Sequence, residues 1–139
     1  MKIIHNKNKY VLLRLDENEE LINSVTKFIT ENKITAGIFT GIGSAKELVC
    51  SYYNISTKQF EDHILSENIE IVSLTGNIAI LDDKHLIHAH GVFSKKDFST
   101  IGGHVKKLII SATCEITLHI LEGRLERKRD EKTNLNLLQ

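Results

Sequence analysis

The chain has no proline and no tryptophan, only two cysteines, and a net charge of zero, its 18 basic residues balanced by 18 acidic ones. Each shortage excludes something. Without proline there is no polyproline segment and no stiff Pro-rich linker. Balanced charge removes the long-range field that draws basic proteins toward nucleic acid or acidic membranes, so any basic surface has to be a local patch. Cys50 and Cys114 make an improbable disulfide framework in a chain with no export signal. Cys114 alternates with Ala112, Ile116 and Leu118 and reads as a buried, reduced thiol. No apolar run approaches a membrane span, and residues 1–10 lack the apolar core of a signal peptide. A cytoplasmic location without a membrane partner is the expectation.

What is present suits a folded domain. The chain of 139 residues is 41% hydrophobic and 26% charged, enough to bury a core and far from the composition of disorder. No linker, low-complexity tract or fixed-period repeat divides it, so one domain over residues 1–139 is expected. Leu21, Ile22, Val25, Phe28 and Ile29 recur at helical spacing, opposite Glu20, Asn23, Ser24 and Lys27. Asp16 and Glu19 carry the spacing of a capping box before that helix, which should end near Asn32.

The rest reads as strands, at 10–15, 34–40, 48–53, 59–65, 69–75, 78–81, 85–93 and about 107–121. Gly41–Ser44 and Gly76-Asn77 look like breaks between them, the second a two-residue hairpin signal. The expected fold is therefore α+β: a curved, barrel-like antiparallel or mixed β-sheet with one main amphipathic helix packed on it.

Side chains two apart on a strand share a face, so His88 and His90 point the same way, beside Leu86 and Val92. The other face carries Ile87, Ala89 and Gly91, which suggests burial on both sides. Imidazoles in such a place need partners, and a divalent metal, zinc above all, is one candidate. His104, after two glycines that permit a bend and a close approach, is the natural third ligand. The plainer alternative is a set of hydrogen-bonded histidines, since a chain with seven of them places some pair two apart by chance. His5 and His63 look like surface residues, and neither His85 nor His119 is a candidate ligand. Glu70 alternates with Val72 and Leu74 and reads as an inward carboxylate, either a structural acid or an acid/base group near the site. No phosphate loop or serine-nucleophile frame is present: Lys46 lacks the preceding glycine, and Ser44 lacks the flanking glycines.

In order along the chain stand Arg14, Glu19-Glu20-Leu21, Gly41-Ile42-Gly43-Ser44, Glu70-x-x-Ser73-x-x-Gly76-Asn77, His88-Ala89-His90, Gly102-Gly103-His104, and the tail Arg127-x-x-Asp130-x-x-Thr133-Asn134-Leu135. This ordered series resembles the PPC (plants and prokaryotes conserved) domain, over nearly the whole chain. Asn18 and Asn134 stand where relatives often carry glycine; asparagine tolerates left-handed backbone best after glycine, so those turns should survive. The resemblance implies a homotrimer with the three histidines close together, and metal binding as in some prokaryotic members. The fold is similar to acetolactate decarboxylase, which carries a three-histidine zinc site.

Two functions follow as expectations. One is a trimeric metal-binding module of the type labelled DNA-binding. Plant relatives pair the domain with an Arg-Gly-Arg-Pro hook, which a chain without proline lacks. The patch of Arg124, Arg127, Lys128 and Arg129 is interrupted by Glu126, Asp130 and Glu131, so nucleic-acid binding should be weak or indirect. The alternative is a metal-dependent enzyme, of lyase or hydrolase type, working on a small molecule through an open coordination position.

Overall fold

The computed structural model describes residues 1–139. The elements are β1 (Lys2–Lys7), β2 (Tyr10–Asp16), α1 (Leu21–Glu31), β3 (Gly37–Asn54), β4 (Gln59–Leu65), β5 (Ile69–Leu81), β6 (Lys84–Ser94), β7 (Thr100–Ile120), β8 (Arg127–Arg129) and β9 (Asn136–Leu138). Seven strands form one antiparallel sheet in the order β1-β2-β7-β6-β5-β3-β4, and β7 also pairs with β3. Strands β3, β5, β6 and β7 thus curl into an incomplete ring, while β8 and β9 form a separate hairpin. The mostly antiparallel sheet with a single helix is the expected α+β class, ring-like without being a closed barrel.

The helix obeys its apolar stripe. Leu21, Val25, Phe28 and Ile29 are buried, and the helix lies against β6 and β7. Its cap differs from the expected box. Glu20 is the N-cap: its carboxylate accepts from the amides of Ile22 (3.1 Å) and Asn23 (2.7 Å), and from Leu108 on β7 (3.1 Å). One carboxylate therefore starts the helix and docks it on the sheet. Glu19 instead accepts from the Asp16 amide at 2.7 Å, tightening the turn before the helix. At the other end Ile34 N–H reaches Ile29 O (2.8 Å) and Lys33 N–H reaches Thr30 O (3.2 Å), with Lys33 at φ 55. This is a Schellman ending, sealed by the buried pair Ile29 and Ile34.

Two expected breaks are absent. Residues 37–40 and 48–53 belong to one long strand, because Gly41 and Gly43 mark a β-bulge rather than a turn, and it starts three residues later than expected. Gly76-Asn77 lies inside β5; Gly76 faces Phe39 on β3, whose ring fills the space that a side chain would need. The hairpin turn comes later, at Asp82 and Asp83 (φ 48 and 59), where the paired left-handed residues suit the twist of β5 and β6. Strand β1 escaped the pattern because all six of its residues are exposed. Asn18 (φ 69) and Asn134 (φ 61) do adopt the left-handed backbone anticipated for them. Twenty-five buried residues make one core inside the ring and under the helix, among them Phe39, Phe93, Leu108, Ile110 and Ile116. Cys114 sits in it as a free thiol, pushed up to about 12 by burial.

Candidate metal centre

The site is built where three strands meet. On β6, Ala89, Gly91 and Phe93 point into the core, so His88 and His90 project from the opposite, outer face. That face is not buried as expected: His88 is half-covered and His90 is exposed, because only the C-terminal hairpin lies over one end of it. His104 on β7 is the direct cross-strand partner of His90 and pairs on its other side with Ser51 of β3. The Gly-Gly pair before it does not bend the chain. Both glycines run within β7, where a Cβ on Gly102 would stand 2.9 Å from Gly91 O and one on Gly103 2.8 Å from Ser51 O. Their bare backbones let β6, β7 and β3 close together and leave a hollow beside His90.

The three imidazoles converge. Ring centroids lie 5.0 Å (His88–His90), 5.1 Å (His88–His104) and 5.4 Å (His90–His104) apart. One nitrogen from each falls within 4.8 Å of the other two, a spacing that suits a shared cation. Phe60 tilts against His104 at 5.2 Å and closes its far side. The Nδ1 atom of His104 is buried without any hydrogen-bond partner, a costly state that a bound cation would relieve. The donor set therefore fits a divalent metal.

Electrostatics agree. Burial, then the neighbouring His88 and His90, then Lys106, hold His104 down at about 4, with Asp62 pulling weakly the other way. Burial, then Arg127 and His90, also lower His88. Both rings are consequently neutral at pH 7, each with one unprotonated nitrogen. In the metal-free protein the unfolded chain takes up protons that the folded one resists. Stability should therefore be unaffected above the ordinary histidine value of about 6.5 and decline as pH falls from there toward about 4. Melting temperatures of stripped protein at pH 7.5, 6 and 5 should show this decline, and His104→Asn should flatten it; parallel curves for the two proteins would contradict it.

Residues 4–122 match the family described as the Plants and Prokaryotes Conserved (PCC) domain, also abbreviated PPC. The chain belongs to this family. Among solved PPC-like structures, a "putative DNA-binding protein" from Bacteroides thetaiotaomicron is 25% identical with a TM-score of 0.94, covering 97% of this chain and 94% of that one. A metal-containing protein from Archaeoglobus fulgidus is 31% identical with a TM-score of 0.88, covering 100% and 99%. Acetolactate decarboxylase from Bacillus subtilis shares the fold alone, at 14% identity and a TM-score of 0.56 over 79% of this chain and 52% of that one. Over 124 residues the chain is also 29% identical to the bifunctional protein GlmU of Synechococcus, spanning 19% of its length.

The other candidates lie elsewhere. Glu70 is not inward. A register shift between Ile71 and Ser73 breaks the alternation, so Glu70, Val72 and Ser73 face outward and Leu74 inward. Glu70 pairs with Ser44 and Ser94, five residues along β5 from Thr75, the neighbour of His90, or about 16 Å at strand rise. It cannot serve the histidine cluster as an acid or base. His5 and His63 are exposed, His85 meets Thr30 of the helix, and His119 stacks on Tyr10. Sequence reasoning missed the importance of Arg127. Placed there in a surface patch, it is buried, and it contacts Asn77 (2.8 Å), the carbonyl of Asn136 (2.6 Å) and Nδ1 of His88 (3.3 Å). The signal available was its position in the Arg-x-x-Asp-x-x-Thr-Asn-Leu tail: Asp130 and Thr133 knot the turn of that hairpin, which lays the arginine against β5 and β6.

Proposed function

We propose that this PPC chain is a metal-binding module that holds a divalent cation, preferentially zinc, on His88, His90 and His104, and offers it to small molecules. The convergence of three imidazoles around one point, with an orphaned Nδ1 among them, is the observation that carries this reading. A relative of 31% identity described as metal-containing supports it. Three protein ligands leave a coordination position open, and hollows on both sides of the cluster, one by His90 and one by His88 and His104, give it access. Those hollows favour the second reading, a metal-dependent enzyme. When bound, such a cation polarises a carbonyl or lowers the pKa of water. The chain's own contribution is then to orient the ligand imidazoles, shield the cation with Phe60 and the C-terminal hairpin, and keep His88 and His104 neutral.

A DNA-reading role has less support in this chain. Arg124 is paired with Asp83 and Glu126, Lys106 with Asp62, and Lys107 with Glu47, while Arg127 is buried. Assembly as a homotrimer fits the exposed apolar face formed by Tyr10, Ile38, Ile42 and Val72, which needs covering. A cytoplasmic setting suits the two free cysteines. The test is elemental analysis of purified protein with its solution mass, followed by stripping and titration with zinc. About one zinc per chain in a trimer is expected; a metal-free protein that fails to take up zinc at micromolar concentration would refute the reading. Fluorescence anisotropy with duplex DNA at low salt should show weak binding at most, lost by physiological salt.

A further inference from the structure

Arg127 is a buried guanidinium with no carboxylate in reach. Only 8% of its surface is exposed, it takes part in no ion pair, and its Nε is buried without a partner. Its hydrogen bonds go to two neutral oxygens and, at 3.3 Å, to a ring nitrogen of His88. A charge so placed is costly unless an opposite charge arrives from outside the chain. Beside it is a cleft of ≈ 240 Å³, lined on the polar side by Arg127, Arg129, two histidines of the cluster and two asparagines of the hairpin, and on the apolar side by Phe60, Leu86 and other aliphatic side chains. No acidic residue lines it.

We propose that this cleft binds a short-chain monocarboxylate, its carboxylate on Arg127 and its hydrocarbon part against Leu86, Leu135 and Phe60. The guanidinium fork matches a planar carboxylate. The volume equals roughly eight water molecules, so an acid of only a few carbons fits. Apolar walls favour a monoanion with a carbon tail over a fully hydrated inorganic anion.

The inference rests on the metal reading in one respect, which follows from the chemistry of imidazole. A neutral ring has one lone pair. In this structure the lone pair of His88 faces Arg127, since a guanidinium only donates. A cation on His88 takes that lone pair, whichever nitrogen it uses. Arg127 then loses one acceptor and gains a positive neighbour, and an anion on the cleft side answers both changes. Zinc and carboxylate therefore strengthen each other's binding.

The test is an NMR titration of the ¹⁵N-labelled full chain with sodium butyrate, butyramide and inorganic phosphate, in zinc-loaded and stripped forms, each sample assayed for zinc. Butyrate should shift residues lining the cleft and bind at least about ten-fold more tightly than butyramide, and more tightly still with zinc present. Arg127→Lys, which keeps the charge and loses the fork, should weaken butyrate about ten-fold in the folded variant, its folding checked by the dispersion of the same NMR spectra. Leu86→Trp, which fills the cleft without touching the cation, should abolish the shifts. Equal binding of butyrate and butyramide, indifference to Arg127→Lys, or tighter binding of phosphate than of butyrate would overturn the assignment. A chain that takes zinc and ignores butyrate ends this inference alone. One that binds butyrate through Arg127 yet takes no zinc ends the metal reading, and with it the mutual strengthening.

Discussion

Replacing His104 by alanine should reduce bound zinc from about one per chain to none detectable after dialysis, while His63→Ala leaves the content unchanged. His104 is one of three nitrogen donors within 4.8 Å of one another, and no carboxylate or thiol belongs to that group. Outer-shell partners of metal ligands are worth about 10–100-fold in affinity, and deleting a ligand outright removes more. The fold should survive. His104 lies on the outer face of β7, half-buried, and its ring nitrogen has no partner to lose. Alanine there exchanges an unsatisfied buried polar atom for an apolar one, so the metal-free variant should melt at or slightly above the metal-free parent at neutral pH. The comparison thus separates function from folding: wild type stabilised by added zinc, the variant indifferent to it. If the variant keeps zinc with the parent's affinity, the three-histidine centre is not where the metal sits. His90→Ala should behave alike, because His90 and His104 are a direct cross-strand pair.

The parts of this site that were legible in sequence are those that depend on local periodicity. Alternation on β6 put His88 and His90 on one face, and the glycines before His104 signalled a close approach of backbones; both hold. The direction of that face was not legible, because period two says which residues go together and not which group meets the core. Ala89, Gly91 and Phe93 won the interior, and only long-range packing decides that. The same limit misplaced Glu70: a single extra residue in the β5 ladder reverses the faces, and nothing in the residues themselves announces it. Gly76-Asn77 misled for a related reason. A glycine can mark a turn or make room for a neighbour, and Phe39 lies 37 residues away in sequence. Arg127 was hidden most completely, since its burial depends on the hairpin at 127–138 folding back onto β5 and β6.

The ring that brings these strands together depends on one backbone position, and Gly43→Ala is expected to show it by costing about 4 kcal/mol in a urea unfolding experiment. Gly43 has φ 148, outside the range that residues with a side chain readily adopt. A Cβ there would lie 2.2 Å from Thr113 O and 2.7 Å from the Cα of Cys114, both backbone atoms of β7 held in the middle of the sheet. No rotamer change relieves such an overlap, so strand β3 has to move away from β7. The strand is not free to do so: on its other edge Gly43 pairs with Ile71 of β5, at the bulge that bends β3 around the ring. Strain at φ contributes about 1–3 kcal/mol and the displaced pairing the remainder. Gly123→Ala is the control. Gly123 also has positive φ, 82, yet nothing lies within 4 Å of the added carbon, so only the left-handed penalty of about 1 kcal/mol applies. If the two variants lose equal stability, the close contact with β7 is not what limits position 43. If Gly43→Ala is the worse by several-fold and still binds zinc once folded in dilute urea-free buffer, the bulge is a determinant of the ring and not of the metal centre. That separation is expected, because Ser51, the β3 residue paired with His104, lies eight residues beyond Gly43, past three register shifts that absorb a local displacement.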